Sequence, residues 1–238
     1  MSEKRLKRNK IIFVMKNRFC DTYMATSKWS NDEKLITKAF DNESEDYFKG
    51  YEKKSIPKTA EVQIDSIIEA KSSTVIDVGS GPGVIMIKML DQGVQHVTGI
   101  DLSPKMIEIA QKEIEKKNLV AKTELIEGSF LEIVPKKVDA IFLHRVLCCH
   151  PDREVMIDKS VSHDPNIITF TSLRDWKLLR GGLVVVKGIR KLIRGKFFLP
   201  FVPRFSEIDE QLKKEGYYPI TTYKSKLWIT KTYKKDLK

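Results

Sequence analysis

The hydrophobic pattern of this chain changes repeatedly between two periods after residue 57. Apolar residues recur at helical spacing from Ala60 to Ile68, and a short β-branched run of strand length follows them. Helical and strand-like apolar patterns continue to alternate towards the C-terminal end. The predicted strands are 74–79, 96–102, 122–128, 138–145 and 166–173, and the predicted helices are 58–70, 83–93, 103–118 and 151–163. In the helix at 103–118, Ser103 suits the N-cap and Pro104 suits the first helical position.

Alternation of strand and helix over residues 58–173 is typical of a doubly wound α/β fold with a parallel sheet. Residues 206–217 predict one more capped helix. Residues 219–235 predict two strands joined around Lys224 to Lys226. Because this connection is too short for a parallel crossover, the last two strands must be antiparallel. We therefore expect a seven-stranded, mostly parallel sheet with an antiparallel strand near its C-terminal end.

Three glycines follow the first predicted strand in "VIDVGSGPG", at Gly79, Gly81 and Gly83. The carboxyl edge of such a sheet is where ligands bind, and glycine lets the backbone turn sharply and approach a ligand closely. A dinucleotide fingerprint would need glycine at the place of Val84, and no Walker pattern is present. Asp77 would repel a pyrophosphate. The loop therefore favours a cationic ligand, unless Asp77 only caps the loop amides.

The ends of the next two strands add polar and apolar residues to this edge. Asp101 ends the second strand, where a carboxylate can accept hydrogen bonds from both hydroxyls of a ribose. Leu102 offers an apolar surface to an adenine, and Ser129 and Phe130 can bind and cover the base. The alternative is that these are ordinary turn residues. A ribose, an adenine and a positive group together describe S-adenosylmethionine.

Four segments carry a resemblance to a known family: "VIDVGSGPG", "VTGIDLSPKMIEIAQK", "EGSF" and "VDAIFLHRVLCCHPD". In this order and spacing they resemble the class I S-adenosylmethionine-dependent methyltransferases, over about residues 58–235. Within that superfamily the chain is most similar to relatives of magnesium-protoporphyrin O-methyltransferase. The resemblance implies a Rossmann-like fold and S-adenosylmethionine as cofactor. The implied cofactor-binding residues are Asp77, Gly79, Ser80, Gly81, Gly83, Asp101, Leu102, Met106, Ser129, Phe130, His144 and Arg145.

The resemblance places the end of the fourth strand, with His144 and Arg145, beside the transferred methyl group. A hydroxyl acceptor would need a base, for which His144 and His150 are the candidates, whereas a carboxylate acceptor would need none. The porphyrin methyltransferases have a His-Tyr-Pro run where this chain has Cys149, His150 and Pro151, so their assignment does not transfer directly. We expect Cys148 and Cys149 to be packing residues.

Two segments flank this predicted cofactor domain or interrupt it. Residues 1–56 carry several aromatic residues and predict a helical cap over the substrate, with Tyr23 and Tyr51 as candidate contacts. Residues 57–238 form the predicted cofactor-binding domain. Within it, residues 174–204 hold nine basic residues and one acid among apolar residues. This insertion is a substrate lid, an amphipathic helix at a membrane surface, or a helix that packs on the core.

Composition limits the class of protein. The chain has 238 residues and a formal net charge of +11, which favours an anionic partner or reflects a lysine-rich surface. Its three cysteines suggest no disulfide framework, and its four histidines show no metal-ligand spacing. No apolar run reaches the roughly 20 residues of a membrane span. We expect a soluble, cytoplasmic protein without a metal.

These observations favour a methyltransferase that acts on a small molecule, and we expect oxygen to be the acceptor atom. The first alternative is an RNA or protein methyltransferase, which the basic charge supports. A nucleic-acid partner is nevertheless not favoured, since no nucleic-acid-binding module and no "NPPY"-type motif are present. The second alternative is a non-catalytic protein that binds S-adenosylmethionine. Oxidoreduction with a nicotinamide cofactor is disfavoured by Val84.

Overall fold

The computed structural model describes residues 29–151, 153–175 and 200–236. Strands and helices alternate along most of this part of the chain. The strands are β1 (Thr74–Val78), β2 (His96–Asp101), β3 (Thr123–Glu127), β4 (Ala140–His144), β5 (Ile167–Leu173), β6 (Tyr217–Lys224) and β7 (Trp228–Lys235). The α-helices are α1 (Trp29–Lys54), α2 (Lys58–Glu69), α3 (Val84–Asp91), α4 (Pro104–Lys116), α5 (Arg153–Ser162) and α6 (Phe205–Lys214).

All seven strands form one sheet in the order β3-β2-β1-β4-β5-β7-β6. The first five strands pair in parallel, and β7 pairs antiparallel with both β5 and β6. The predicted mostly parallel sheet with an antiparallel strand near the C-terminal end is therefore confirmed. From β1 the chain builds the sheet outward in one direction through β2 and β3, and in the other direction through β4 and β5. The carboxyl ends of the strands at this reversal border the crevice in which doubly wound folds bind ligands.

Successive residues of each strand point to opposite faces of the sheet, and each face has its own core. One core contains Val75 and Phe142 of the sheet, packed against α2 and α3. The other contains Ile76 and Leu143, packed against α5 and α6. Asp77 and His144 each follow a residue of the first core by two positions. The alternation therefore places both polar side chains on the same face of the sheet as that core.

Local signals fixed some helix boundaries and not others. Ser103 is the N-cap of α4 as predicted, since its hydroxyl accepts a hydrogen bond from the Met106 N–H at 3.2 Å. The last helix differs from its prediction. It begins at Phe205 after Arg204, which provides no side-chain cap, and the chain re-enters the sheet at Tyr217. The predicted range ran too far because Gly216, with φ of 80°, already turns the chain.

The predicted division into a cap at 1–56 and a domain at 57–238 stays a prediction. Of the cap, the structure describes α1 and the turn after it. Of the insertion at 174–204, residues 176–199 lie outside the described residues. Within the described ranges, no helix combines the length and the apolar character that a membrane crossing requires.

Candidate functional site

A cavity of about 320 Å³ lies at the carboxyl ends of the central strands, beneath α1. The helix contributes apolar and aromatic side chains, and the strand ends contribute mostly polar ones. Of the predicted site residues within the described part, twelve line this cavity: Tyr51, Gly79, Ser80, Gly81, Asp101, Leu102, Met106, Ser129, Phe130, His144, Arg145 and His150. Asp77 and Gly83 adjoin the lining without belonging to it, and Tyr23 lies outside the described residues.

Asp101 organises the glycine loop. Its Oδ2 accepts a hydrogen bond from the Gly81 N–H and its Oδ1 accepts one from the Ser103 N–H, both at 2.8 Å. Each carboxylate oxygen has a second lone pair, so Asp101 keeps acceptor capacity towards the cavity. The suggestion that Asp77 caps a loop amide is not what the described hydrogen bonds show, because it is Asp101 that accepts from Gly81.

Two acidic residues, Asp77 and Asp101, lie close enough together near the ends of β1 and β2 to affect each other's ionisation. Asp77 is 2% exposed, and its Oδ2 has no hydrogen-bond partner among the described residues. Burial, and then the charge of Asp101, raise the pKa of Asp77 well above its usual value. Burial also raises the pKa of Asp101, against the effect of its backbone hydrogen bonds. No lysine or arginine of the described part forms an ion pair with either carboxylate, so a cation bound nearby would relieve the repulsion.

Two of the glycines are required by close packing. Gly79 has φ of 67°, and a Cβ there would lie 2.6 Å from Cγ2 of Val146. Gly83 has φ of 77°, and a Cβ there would lie 3.0 Å from Cβ of Ala110. The loop thus packs closely against the Val146 side chain, and the start of α3 packs closely against Ala110. A side chain at either position would therefore both strain the backbone and clash with these neighbours.

Hydrogen bonds tie α1 to the loops that surround the cavity. The Ser129 hydroxyl donates to Oε1 of Glu33 at 2.6 Å, and the Ser103 hydroxyl donates to Oδ1 of Asp41 at 2.5 Å. Phe130 stacks on the ring of His163, with 5.5 Å between centroids. Ser129 and Phe130, which were predicted to contact adenine, thus line the cavity. Ser129 also holds α1 above it, and Phe130 also packs into the core beside it.

His144 is held in one tautomer by Gln63. Oε1 of Gln63 accepts a hydrogen bond from the Thr171 hydroxyl and lies 2.7 Å from Nδ1 of His144. Because a carbonyl oxygen only accepts, Nδ1 must carry the proton and Nε2 must keep its lone pair. Nε2 is buried and has no hydrogen-bond partner among the described residues. Burial, and then the charge of Arg145, lower the pKa of His144 to about 3, so the ring is neutral at physiological pH.

Arg145 follows β4 with a φ of 62°, which is uncommon for a residue with a side chain. Its N–H donates to the Thr171 carbonyl at 2.9 Å, and its guanidinium carbon lies 4.4 Å from the centroid of the Trp228 ring. The thiols of Cys148 and Cys149 both donate to the Arg145 carbonyl at 3.2 Å. The cysteines expected only to pack therefore also fix this backbone.

Sequence reasoning missed several residues of the site, among them Gln63, Glu33 and Trp228. Gln63 offered a signal, since it lies on the apolar face of α2 between Ala60 and Ile67 and is fully buried. A polar side chain on such a face needs a buried partner. Glu33 offered no such signal in its surroundings.

Comparison with known proteins adds a family to this geometry. A family model described as a methyltransferase domain matches residues 69–238. Magnesium protoporphyrin IX methyltransferase from Synechocystis PCC 6803, solved with bound SAH, superposes with a TM-score of 0.70 at 17% identity, covering 86% of this chain and 100% of that chain. An O-methyltransferase from neocarzinostatin biosynthesis, in complex with S-adenosylmethionine and 2-hydroxy-5-methyl naphthoic acid, gives 0.53 at 16% identity, covering 70% and 50%.

Curated sequences give a second relation. Ribosomal protein L11 methyltransferase from Clostridium perfringens is 28% identical over 109 residues, which are 44% of this chain and 33% of that protein. The chain thus spans about a third of the length of this curated relative.

Proposed function

Because this chain belongs to the class I S-adenosylmethionine-dependent methyltransferases, we propose that it methylates a small-molecule acceptor, at an oxygen atom. The family match covers residues 69–238 and leaves out α1, which forms one side of the cavity. The acceptor is therefore recognised in part by a helix outside the matched domain.

The described residues fit the cofactor. S-adenosylmethionine, when bound, supplies a methyl group already activated by a sulfonium. The negative charge of Asp77 and Asp101 suits its positive charge, and Asp101 keeps lone pairs for ribose hydroxyls. The Ser80 hydroxyl is buried without a hydrogen-bond partner among the described residues, and it lines the same cavity. Ser80 is thus a further polar contact for this ligand.

The protein's contribution to the reaction is position, exclusion of water and control of one proton. Phe40, Tyr47 and Tyr51 of α1 cover the cavity and hold an apolar acceptor against the strand ends. His144 presents Nε2 as a hydrogen-bond acceptor, with Nδ1 held by Gln63. A hydroxyl donating to Nε2 would be oriented by it, and Nε2 would take the hydroxyl proton as the oxygen receives the methyl group.

One observation carries this proposal: the neutral His144, fixed by Gln63 and lacking a partner at Nε2 among the described residues, lines the same cavity as the aromatic residues of α1 and the carboxylate of Asp101. An acceptor that reaches Nε2 must fit beneath α1. The space suits a compact apolar molecule with a hydroxyl group. The neighbouring O-methyltransferase solved with a hydroxylated naphthoic acid supports the same class of acceptor.

A protein or RNA acceptor is the second candidate, favoured by the similarity to ribosomal protein L11 methyltransferase and by the net charge of +11. The two are separated by incubating the pure protein with methyl-labelled S-adenosylmethionine and either a small-molecule extract or purified ribosomes. We expect label in an organic-soluble product, whose mass identifies the acceptor. Label confined to ribosomal protein or RNA would overturn the small-molecule proposal.

The variant His144→Ala tests the oxygen acceptor. It removes Nε2, so we expect slower methylation of the identified product with unchanged affinity for S-adenosylhomocysteine. Unchanged turnover with this variant would contradict the role of His144 and leave a carboxylate acceptor, which needs no base.

A further inference from the structure

Arg145 brings a positive charge to the cavity that no described residue neutralises. It is the one lysine or arginine among the described lining residues. No described carboxylate forms an ion pair with it, and its Nε is buried without a hydrogen-bond partner among the described residues. A guanidinium donor that is buried and unused is costly unless a ligand completes its hydrogen bond.

The structure holds this guanidinium in place from several sides. The Trp228 ring lies 4.4 Å from its central carbon, and a cation over an aromatic face is a favourable contact that leaves the N–H edge free to donate. The backbone is fixed by the Thr171 carbonyl and by the thiols of Cys148 and Cys149. A residue kept at a φ of 62° by so many contacts is typical of a functional position.

The aromatic neighbours do not supply a counter-charge. Burial raises the pKa of Tyr47 to about 12 and also raises the pKa of Tyr51, while the charge of Arg145 acts in the opposite direction on both. Both phenols are therefore neutral at physiological pH, although they lie within electrostatic reach of Arg145. The positive charge stays available to a ligand.

We propose that Arg145 binds a carboxylate of the methyl acceptor, which makes the acceptor an apolar hydroxy acid. This inference rests on the proposed function, because it concerns the same cavity. The hydroxyl is assigned to His144 and the acid to the next residue, so the two groups should be close together on the ligand. A single guanidinium matches a monoanion with a planar fork. A dianionic phosphate is disfavoured, since the carboxylate of Asp101 lines the same cavity and would repel the second charge.

Matched ligand pairs test the proposal without knowledge of the natural acceptor. The probes are salicylate with salicylamide, and 3-hydroxy-2-naphthoate with its amide, titrated calorimetrically into protein saturated with S-adenosylhomocysteine. Each pair differs only in the charge of one group. We expect at least one acid to bind about ten- to a hundredfold more tightly than its amide, as charge-assisted hydrogen bonds imply. Equal binding within both pairs, or no binding by any probe, would overturn the proposal.

Two variants assign the preference to Arg145. In Arg145→Met, which keeps an extended side chain but removes its charge, the acid and its amide should bind about equally. In Arg145→Lys, which keeps the charge without the planar fork, the preference should be intermediate. Cooperative thermal unfolding shows that each variant is folded, and its affinity for S-adenosylhomocysteine is then measured. If Arg145→Met binds the acid as tightly as the unmodified chain, or loses the cofactor product while folded, the assignment to the acceptor is wrong.

The same probes separate this inference from the proposed function. Methylation of the acid by S-adenosylmethionine, followed by mass spectrometry, tests catalysis, and calorimetry tests the anion site. Binding that depends on Arg145 without any methyl transfer would retain the site and count against the activity. Methyl transfer to salicylamide at the same rate as to salicylate would retain the activity and overturn the site.

Discussion

Replacing Asp101 by asparagine should loosen the glycine loop and weaken cofactor binding together. The carboxylate accepts from the Gly81 and Ser103 N–H groups at 2.8 Å. An amide has one oxygen, so its NH₂ group must face one of these donors. Loss of a hydrogen bond to a charged group costs about 1.5–3 kcal/mol. For a chain of this size, about 2–4 °C of melting temperature corresponds to each kcal/mol, so the variant should melt about 3–12 °C lower.

The effect on binding follows from the same carboxylate. Loss of one ionic hydrogen bond to the ribose weakens binding about 10- to 150-fold. At a ligand concentration 100 times the dissociation constant, the unmodified chain gains about 2.7 kcal/mol, or about 5–11 °C. At that same concentration the Asp101→Asn variant should gain only about 0.3–1.4 kcal/mol, or about 1–6 °C. Thermal unfolding with and without S-adenosylhomocysteine, supported by calorimetry, measures both effects.

Asp77→Asn is the matched control, because Asp77 is a buried carboxylate on the adjacent strand that does not line the cavity. Its Oδ2 has no described partner and burial raises its pKa, so loss of the charge should leave the apo protein equally or more stable. Its effect on affinity should be the smaller of the two. Unchanged binding by Asp101→Asn, or a larger loss of binding in Asp77→Asn, would refute the assignment of Asp101 to the ribose.

The ionisation of Asp101 should make apo stability and cofactor affinity depend on pH in opposite directions. Because burial raises the folded-state pKa of Asp101 above its usual 3.8, the folded protein holds that proton more tightly than the unfolded chain. The group's contribution to apo stability is therefore greatest below 3.8 and falls as the pH rises through the folded-state pKa. Cofactor affinity should rise over the same interval, since the ionised form binds. The Asp101→Asn variant should lose this pH dependence of apo stability and of cofactor affinity. If the part that the variant loses shows stability and affinity rising together with pH, the explanation is wrong.

Two further comparisons test neighbouring parts of the site. Gly79→Ala and Gly81→Ala share the strain of a positive φ, but only at Gly79 would the new Cβ lie 2.6 Å from a valine methyl; chemical denaturation should show Gly79→Ala to be less stable by at least about 1 kcal/mol, and equal stabilities would exclude the clash. Gln63→Leu removes the acceptor at Nδ1 of His144, so the proton can move between the two ring nitrogens. We expect a lower kcat, little change in KM and a changed pH profile, all partly restored in Gln63→Glu. A loss of stability with unchanged kinetics would mean that Gln63 only packs.

The fold was predictable because its information is local. Each buried strand carries a short apolar run, each helix carries an apolar face, and Ser103 fixes a helix start through a contact three residues away. The alternation of these elements then leaves few topologies, and the short connection near Lys224 fixes the antiparallel pair. The cavity-lining residues after β1, β2 and β3 were predictable for the same reason, since they follow directly after strands of the sheet.

The contacts of His144 and Ser129 were not predictable from such signals, because they join distant parts of the chain. Gln63 and His144 are 81 residues apart, and Glu33 and Ser129 are 96 residues apart. Only the packing of α2 and α1 against the sheet brings these pairs together. A buried glutamine on an apolar helix face indicates that some partner exists, but it does not name the partner.

Arg145 shows why the remaining part of the site escapes a local pattern. A φ of 62° would suggest glycine at this position, and strain of this kind costs about 1–3 kcal/mol unless surrounding contacts hold it. Here those contacts come from β5, from β7 and from the two thiols that follow, all engaged with one residue. A residue whose conformation opposes its own preference has to be stabilised by the rest of the fold. We therefore expect the acceptor to be recognised where the local sequence pattern fails, rather than at the glycine loop where it succeeds.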